Sequence, residues 1–172
     1  EERIAERIDA NMMDVSMQDL RDLSKSMYTD RVQKIKNKVD GRLIVKEYPT
    51  ATAHAGHFRA LLEELKLKQN FYPDIIFIDY LNICVSQRLR NNAGANSYTI
   101  VKAIAEELRG LAVEYDLPIV SATQTTRGGF NNSDVDLTDT SESFGLPATA
   151  DLMFALISTE ELEQQGHMMV KQ

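Results

Sequence analysis

The sequence predicts an α/β fold with a mostly parallel, twisted sheet flanked by helices. Two short apolar runs, 75–79 and 118–124, each close on a polar residue, and an amphipathic segment at 97–115 separates them. Strand, helix and strand in that order is typical of a parallel α/β sheet. In open sheets of this kind, ligands bind beyond the carboxyl ends of the strands. Asp79 and Gln124 close the two runs, so they are the first candidates for functional residues.

The first half of the chain is expected to be mostly helical. Apolar residues there recur at intervals of three and four, and Ser, Thr or Asp residues stand where helices can begin. The expected elements are, in order, a helix at 1–14, a second helix capped by Ser16, a third capped by Thr29 or Asp30 and running towards Gly41, a strand at 42–48 ended by Pro49, and a helix at 52–68.

The second half is expected to alternate strands with a helix. The run at 74–80 is apolar on both faces, which predicts a central strand rather than an edge strand. The helix at 97–115 can be capped by Asn96 or Ser97, and its apolar residues recur at helical spacing. The remaining expected elements are a loop at 84–96, a strand at 118–124, a long polar loop at 125–146, and strands at 150–158 and 167–171.

The composition is that of a globular protein. The 172 residues are enough for one domain with a sizeable core, and 43% of them are hydrophobic. The lone Cys84 excludes an internal disulfide and a cysteine-cluster metal site. Neither a membrane span nor a signal peptide is predicted, so a cytoplasmic location is expected. The net charge of −7 argues against a uniformly basic nucleic-acid binder, although 31–46 carries six Lys or Arg against one Asp, and 84–98 carries Arg88 and Arg90 with no acid.

Asp79 and Gln124 each have a functional and a structural interpretation. A carboxylate at the tip of a buried strand can hold Mg²⁺, usually through water, as in nucleotide-binding sheets. Many α/β proteins, however, end a strand with Asp for capping or solubility. Gln124 both donates and accepts hydrogen bonds, so it could sense a terminal phosphate or orient a water. Its other interpretation is a solvent-facing turn residue.

Basic and aromatic side chains lie in the loops that follow the two strands and at the start of the 97–115 helix. Arg88, Arg90 and Arg127 could grip phosphate groups through their guanidinium groups, or they could be solvated loop charges. Tyr98 and Phe130 could stack on bases, or they could pack on the domain.

Two other kinds of site find no support in the sequence. His54 and His57 have helical i, i+3 spacing, but no third metal ligand is evident, so we expect ordinary surface histidines. The phosphate loop G-x-x-x-x-G-K-[ST] is nowhere in the chain. A carboxylate for Mg²⁺ without a phosphate loop is half of a nucleotide site.

Longer stretches resemble one protein family, the DnaB-type replicative helicases. Asp74-Ile-Ile-Phe-Ile-Asp79-Tyr-Leu resembles their Walker B strand, and the 117–127 stretch, Leu-Pro-Ile-Val-Ser-Ala-Thr-Gln-x-x-Arg, resembles their next core strand. Further similarity, to the helicases of T-even-like tailed phages in particular, lies at 7–12, 41–46, 96–99, 101–108 and 145–151. The resemblance covers nearly the whole chain in the family's order and implies a RecA-like core.

The resemblance implies an ATP-hydrolysing DNA helicase that uses ATP and Mg²⁺. Asp79 would be the Walker B carboxylate that coordinates Mg²⁺·ATP, and Gln124 would contact the γ-phosphate. The loops at 84–98 and 125–140 would line a central channel and hold single-stranded DNA by its backbone. Such helicases are homo-oligomers, ring hexamers with ATP at each subunit interface, and they work with a primase and a helicase loader; the protein would act in the bacterial host of a phage. The DNA-binding residues implied are Arg88, Arg90, Asn91, Asn92, Arg127, Gly128 and Gly129.

The chain also departs from the family pattern. The phosphate loop and catalytic Glu are expected upstream of Glu1, and the basic residues supplied to a neighbouring subunit are expected beyond Gln172. Where many relatives have Arg-Glu-Ser, this chain has Ser141-Glu142-Ser143. Residues 1–172 are therefore expected to be a partial RecA-like ATPase domain that is inactive alone. Two alternatives remain: a RecA-type recombinase core, or a non-catalytic helicase-like module that binds DNA or protein.

Overall fold

The computed structural model describes residues 2–89, 95–124 and 146–172. The chain divides into two compact units, Glu1–Tyr48 and Pro49–Gln172. Arg90, Asn91, Asn92, Arg127, Gly128, Gly129 and Phe130 lie outside the described residues, so the predictions made for them are not addressed by the structure. None of the described helices is long and apolar enough to cross a lipid bilayer.

Three helices form the first unit: α1 (Glu2–Met13), α2 (Met17–Asp22) and α3 (Lys25–Lys36). Ser16 caps α2 as predicted, because its side chain accepts a hydrogen bond from the Asp19 N–H group. The predicted start of α3 is wrong. Ser24 caps this helix by accepting from the Met27 N–H group, and Thr29 lies inside the helix, where its hydroxyl donates to the Lys25 carbonyl. The Ser24 hydroxyl supplies an acceptor for a first-turn N–H group that has no partner inside the helix, so the helix begins directly after Ser24.

The end of α3 and the strand expected after it also differ from the prediction. The helix ends at Lys36 with Asn37 as its C-cap, well before Gly41. Residues 42–48 form no strand in the described part of the chain, because neither pair of strands there includes them. A strand needs a neighbouring strand for its ladder of backbone hydrogen bonds. The β-type composition of this segment is therefore not sufficient by itself.

The second unit begins with α4 (Ala55–Gln69), whose first turn is closed by two histidines. The His54 side chain accepts from the Gly56 N–H group, and the His57 side chain accepts from the His54 N–H group. The two rings lie 3.9 Å apart between centroids. His57 is exposed and His54 is half-buried, and beyond what the sequence suggested the pair forms a capping box at the start of the helix.

A parallel strand pair lies at the centre of the second unit. β1 (Ile76–Ile78) pairs with β2 (Ile119–Ser121) in parallel, with Ile78 opposite Ser121. The helix α5 (Ser97–Tyr115) connects them and is capped by Asn96. This unit confirms the predicted strand, helix and strand. In the described chain β1 has only β2 beside it, and Phe77 is 70% exposed, so the expected covering of both faces is not found there.

A second small sheet lies near the end of the chain. β3 (Ala155–Ile157) pairs antiparallel with β4 (Met169–Lys171), and a short helix α6 (Glu160–Gln164) connects them. Both strands were predicted, although they are shorter than expected, and α6 was not. Thr159 caps α6, and three acidic residues follow in its first turn. In the described residues the fold is therefore helices with one parallel and one antiparallel pair of strands.

The core of the second unit forms around the apolar face of α5. Leu111 of this helix is completely buried. Ile78 and Ile119, from the parallel strand pair, pack against a cluster of buried residues to which α5 contributes. Its buried members are Ala55, Leu81, Cys84, Val101, Ile104, Ala105, Leu108 and Leu146. The helix therefore supports both strands from one side, and it fixes the position of the segments that follow them.

Candidate functional site

Asp79 and Gln124 lie beyond the same edge of the parallel strand pair. Asp79 follows directly after β1, and Gln124 comes three residues after the end of β2. Because the strands are parallel and Ile78 is opposite Ser121, the segments that follow the two strands leave the sheet at the same, carboxyl edge. Both side chains are exposed. The structure thus brings these two candidates to one edge, as the sequence predicted.

Three hydrogen bonds tie the two strand ends together just past the sheet. The Ser121 hydroxyl donates to the Ile78 carbonyl over 2.9 Å, and the Leu81 N–H group donates to the Ala122 carbonyl over 3.0 Å. The Thr123 hydroxyl donates to the Asn82 side-chain oxygen over 2.8 Å. These bonds hold the segments that carry the two candidates against each other. Sequence reasoning missed them, although polar residues directly after both strands were a signal.

The chemistry of Asp79 fits a magnesium ligand, but only as part of a site. Mg²⁺ prefers oxygen ligands and is usually held by one or two carboxylates together with water and phosphate oxygens. No other described residue forms a hydrogen bond or ion pair with the Asp79 carboxylate, which leaves its oxygens available. The peptide bond from Asp79 to Tyr80 is cis. Within the described ranges, no group of three or more His, Cys, Asp or Glu side chains gathers to hold a metal ion.

Arg88, a predicted DNA contact, is held against α5. Its guanidinium group donates to Glu106 over 2.6 Å and to the Ala103 carbonyl over 3.2 Å, and its Nε atom lies 3.4 Å from the Glu107 carboxylate. The hydrogen bond between Arg88 and Glu106 raises the pKa of Arg88 and lowers the pKa of Glu106. The Arg88 side chain remains 55% exposed. The guanidinium group of Arg88 is thus held by α5, while the side chain as a whole stays about half exposed.

Glu107 forms the centre of this cluster. Its carboxylate accepts from the Ser86 hydroxyl over 2.6 Å, from the Gln87 N–H group over 2.9 Å and from the Arg88 N–H group over 3.2 Å. Burial acts to raise the pKa of Glu107, but these hydrogen bonds outweigh burial and hold the pKa below its ordinary value. Sequence reasoning missed Glu107, since a helical Glu is usually solvated.

The remaining described candidate, Tyr98, lies at the start of α5, and Arg109 of the same helix contacts a separate segment. Tyr98 is half-buried in the first turn of the helix. Towards the C-terminal half, the Arg109 guanidinium group donates to the Thr149 carbonyl and to the Asp151 carboxylate, the latter over 2.7 Å. α5 therefore anchors the segment at 86–88 and the segment at 149–151.

Comparison with known proteins agrees with the resemblance found in the sequence. Residues 1–171 match the DnaB-like helicase C terminal domain. The chain is 53% identical over 175 aligned residues to a DnaB-like replicative helicase of Enterobacteria phage T4, which covers 100% of this chain and 37% of that protein. It is 39% identical over 61 residues to a probable plasmid replicative DNA helicase of Chlamydia muridarum (strain MoPn / Nigg), covering 36% of this chain and 12% of that protein.

These matches show the family and the extent of the chain within it. The chain spans only 37% of the length of its phage T4 relative, so it corresponds to part of such a protein. The family match, by contrast, covers nearly every residue of the chain. The chain belongs to the DnaB-like helicase C-terminal domain family.

Proposed function

We propose that this chain is part of an ATP-dependent replicative DNA helicase with a RecA-like core, which unwinds duplex DNA while it translocates on single-stranded DNA. The observation that carries the proposal is the parallel pairing of β1 and β2, which brings Asp79 and Gln124 to one edge of the sheet. This edge is where α/β sheets bind ligands. The family, and the replicative helicases to which the chain is similar, support the same activity.

In this proposal the chain supplies two residues to the ATP site. Asp79 holds Mg²⁺ through an exposed carboxylate, and Gln124 contacts the γ-phosphate through its amide group. When bound, Mg²⁺·ATP supplies the phosphoryl group and a cation that stabilises the charge developing on it. The hydrogen bonds between the strand ends hold the segments that carry Asp79 and Gln124 against each other. Residues 1–172 do not contain the G-x-x-x-x-G-K-[ST] phosphate loop, so these two residues make only part of the proposed ATP site.

The proposal for DNA rests on the segments after the two strands. The Arg88 side chain is 55% exposed and carries a guanidinium group that can meet a phosphate. Arg90, Asn91, Asn92, Arg127, Gly128 and Gly129 are proposed to contact the DNA backbone from the same two loops. In the full protein these loops line the channel of a ring hexamer, which works with a primase and a helicase loader in the cytoplasm of the bacterial host.

The proposed ATP chemistry is tested by replacing Asp79 in the full-length protein. Asp79→Ala removes the carboxylate that holds Mg²⁺, and we expect the rate of DNA-stimulated ATP hydrolysis to fall by about 10²-fold or more. Asp74→Ala is the matched control, because Asp74 is an exposed Asp at the opposite end of the same strand segment. We expect this control to keep the wild-type rate. Normal turnover in the Asp79→Ala protein, with a normal fold by circular dichroism, would refute the proposed role.

The proposed DNA path is tested by neutralising Arg88 and Arg90 together. Each phosphate contact that is lost removes one contribution to counterion release, so the affinity for single-stranded DNA should fall and its dependence on salt should become flatter. The affinity is measured by fluorescence anisotropy at several salt concentrations. An unchanged slope of log affinity against log salt would move the DNA path to another surface.

A further inference from the structure

Glu107 bonds to the backbone of a segment rather than only to its charged side chain. Its carboxylate accepts hydrogen bonds from three consecutive residues, Ser86, Gln87 and Arg88, two of them through main-chain N–H groups. The side chain of Glu107 is only 10% exposed, and Ser86 is 3% exposed. One buried carboxylate on α5 therefore fixes the path of a whole turn, which we call the 86–89 turn.

Neighbouring contacts make the 86–89 turn a defined structure. The Leu89 N–H group donates to the Ser86 hydroxyl over 3.1 Å, which closes the turn on itself. The Val85 N–H group donates to the Ala53 carbonyl over 2.8 Å, which fixes the chain that enters it. A Cβ atom on Gly56 would come within 3.1 Å of the Gln87 side chain, so the start of α4 packs closely on the turn.

The charge of Glu107 argues against a direct contribution to DNA binding. A carboxylate beside a segment that binds phosphate repels the ligand, and burial weakens the screening of that repulsion by salt. Electrostatics alone therefore predicts that removal of this charge strengthens DNA binding. A positioning role predicts the opposite sign, because the turn would lose the acceptor that orders it.

Glu106 provides the comparison within the same helix. It also pairs with Arg88, but it contacts only the guanidinium group and its side chain is 40% exposed. Lys102 lies 3.9 Å from its carboxylate. Glu106 and Glu107 thus place the same charge near Arg88, and only Glu107 holds the backbone of the turn.

We propose that Glu107 is a positioning residue for single-stranded DNA binding, which orders the 86–89 turn and so presents Arg88 to the phosphate backbone. The proposal rests on the proposed function, since it requires that the 86–89 turn contact DNA. Its mechanism is preorganisation: a turn that is already ordered loses less conformational entropy when DNA binds. Arg88 gains a defined direction from the same contacts, and its side chain stays half exposed.

The test compares Glu107→Gln with Glu106→Gln in the full-length protein. Both variants lose one negative charge, and only the first disturbs the acceptor of the 86–89 turn. We expect Glu107→Gln to weaken binding of an oligothymidylate by about tenfold, and Glu106→Gln to leave the affinity unchanged or to strengthen it. Binding is measured by fluorescence anisotropy, and affinity for a fluorescent ATP analogue without DNA is expected to stay at the wild-type value in both variants.

A second variant tests the same turn without changing any charge. Ser86→Ala removes the hydroxyl that donates to Glu107 and accepts from Leu89, so it should also weaken DNA binding. Because the two residues act on one turn, the double variant Ser86→Ala with Glu107→Gln should lose less affinity than the sum of the single losses.

The outcomes separate this inference from the proposed function. Weaker DNA binding with unchanged nucleotide affinity supports the positioning role. Unchanged or tighter DNA binding by Glu107→Gln overturns it, as does a parallel loss of nucleotide affinity, which would mean that Glu107 supports the whole domain. If the wild-type protein does not bind single-stranded DNA at all, the proposed function itself fails.

Discussion

The hydrogen bond between Thr123 and Asn82 offers a direct test of how the two strand ends work together. The Thr123 hydroxyl donates to the Asn82 side-chain oxygen over 2.8 Å, in a partly buried position. Thr123 precedes Gln124, and Asn82 lies three residues after Asp79. Thr123→Val keeps the shape of the side chain and removes its ability to donate. The substitution therefore loosens the two proposed ATP-site segments without creating a cavity.

The structure sets the size of the expected effect. A neutral hydrogen bond contributes about 0.5–1.5 kcal/mol to stability, and the cost of breaking it is smaller when water can replace the lost partner. Thr123 and Asn82 are both half-buried, so we expect the lower part of this range, about 0.5–1 kcal/mol. If all of that energy serves to hold the strand ends in their reactive arrangement, the rate of ATP hydrolysis should fall by about two- to fivefold.

The assay is steady-state ATP hydrolysis by the full-length protein in the presence of single-stranded DNA. Thr29→Val is the matched control, because the Thr29 hydroxyl also donates one hydrogen bond, to the Lys25 carbonyl, but within a helix of the other unit. We expect the control to retain wild-type kcat/KM. A Thr123→Val protein whose kcat/KM equals that of the control, in spite of a measurable loss of stability, would contradict the reasoning.

Three further predictions concern the packing and capping of the second unit. Leu111→Ala should lower the free energy of unfolding in denaturant by about 2–5 kcal/mol, whereas Val113→Ala on the exposed face should change it by less than about 1 kcal/mol, since the two side chains are 0% and 75% exposed. Burial and a hydrogen bond to Glu63 raise the pKa of Tyr115 to about 12. The stabilisation from this shift is complete below about pH 10 and is lost as the pH rises through the pKa of the folded state. Tyr115→Phe should lack this pH dependence, which is measured as the free energy of unfolding at increasing pH. His54→Ala should cost about 1 kcal/mol of stability and increase amide hydrogen exchange in the first turn of α4, whereas His54→Asp keeps an acceptor at the cap and should not.

The sequence predicted those features that depend on short-range pattern. The apolar spacing of 97–115 and the cap at Asn96 specified α5 correctly, and Ser16 specified the start of α2. The strand, helix and strand order was enough to predict that β1 and β2 are parallel and that Asp79 and Gln124 share an edge. These predictions succeed because caps, helical periodicity and the direction of a crossover are properties of adjacent residues.

The errors arose where two interpretations of a local pattern compete. Ser24 and Thr29 are both acceptable caps, and the structure uses the earlier one. The segment 42–48 has the composition of a strand but no strand beside it in the described chain. α6 was missed because it is short, although Thr159 and its acidic first turn were visible in the sequence. In each case a contact with another segment, or its absence, decided the outcome.

The edge residues Asp79 and Gln124 were determined by the sequence alone, because they follow apolar strands whose order along the chain makes them parallel. What only the tertiary structure decided is which partners the other charged side chains meet. Helical spacing places Glu107 at the border of the apolar face of α5 and Glu106 opposite that face, but only the structure shows that Glu107 holds the 86–89 turn while Glu106 remains half exposed. The physical reason is that a carboxylate is buried only where several donors converge on it, and those donors come from a segment about twenty residues away along the chain.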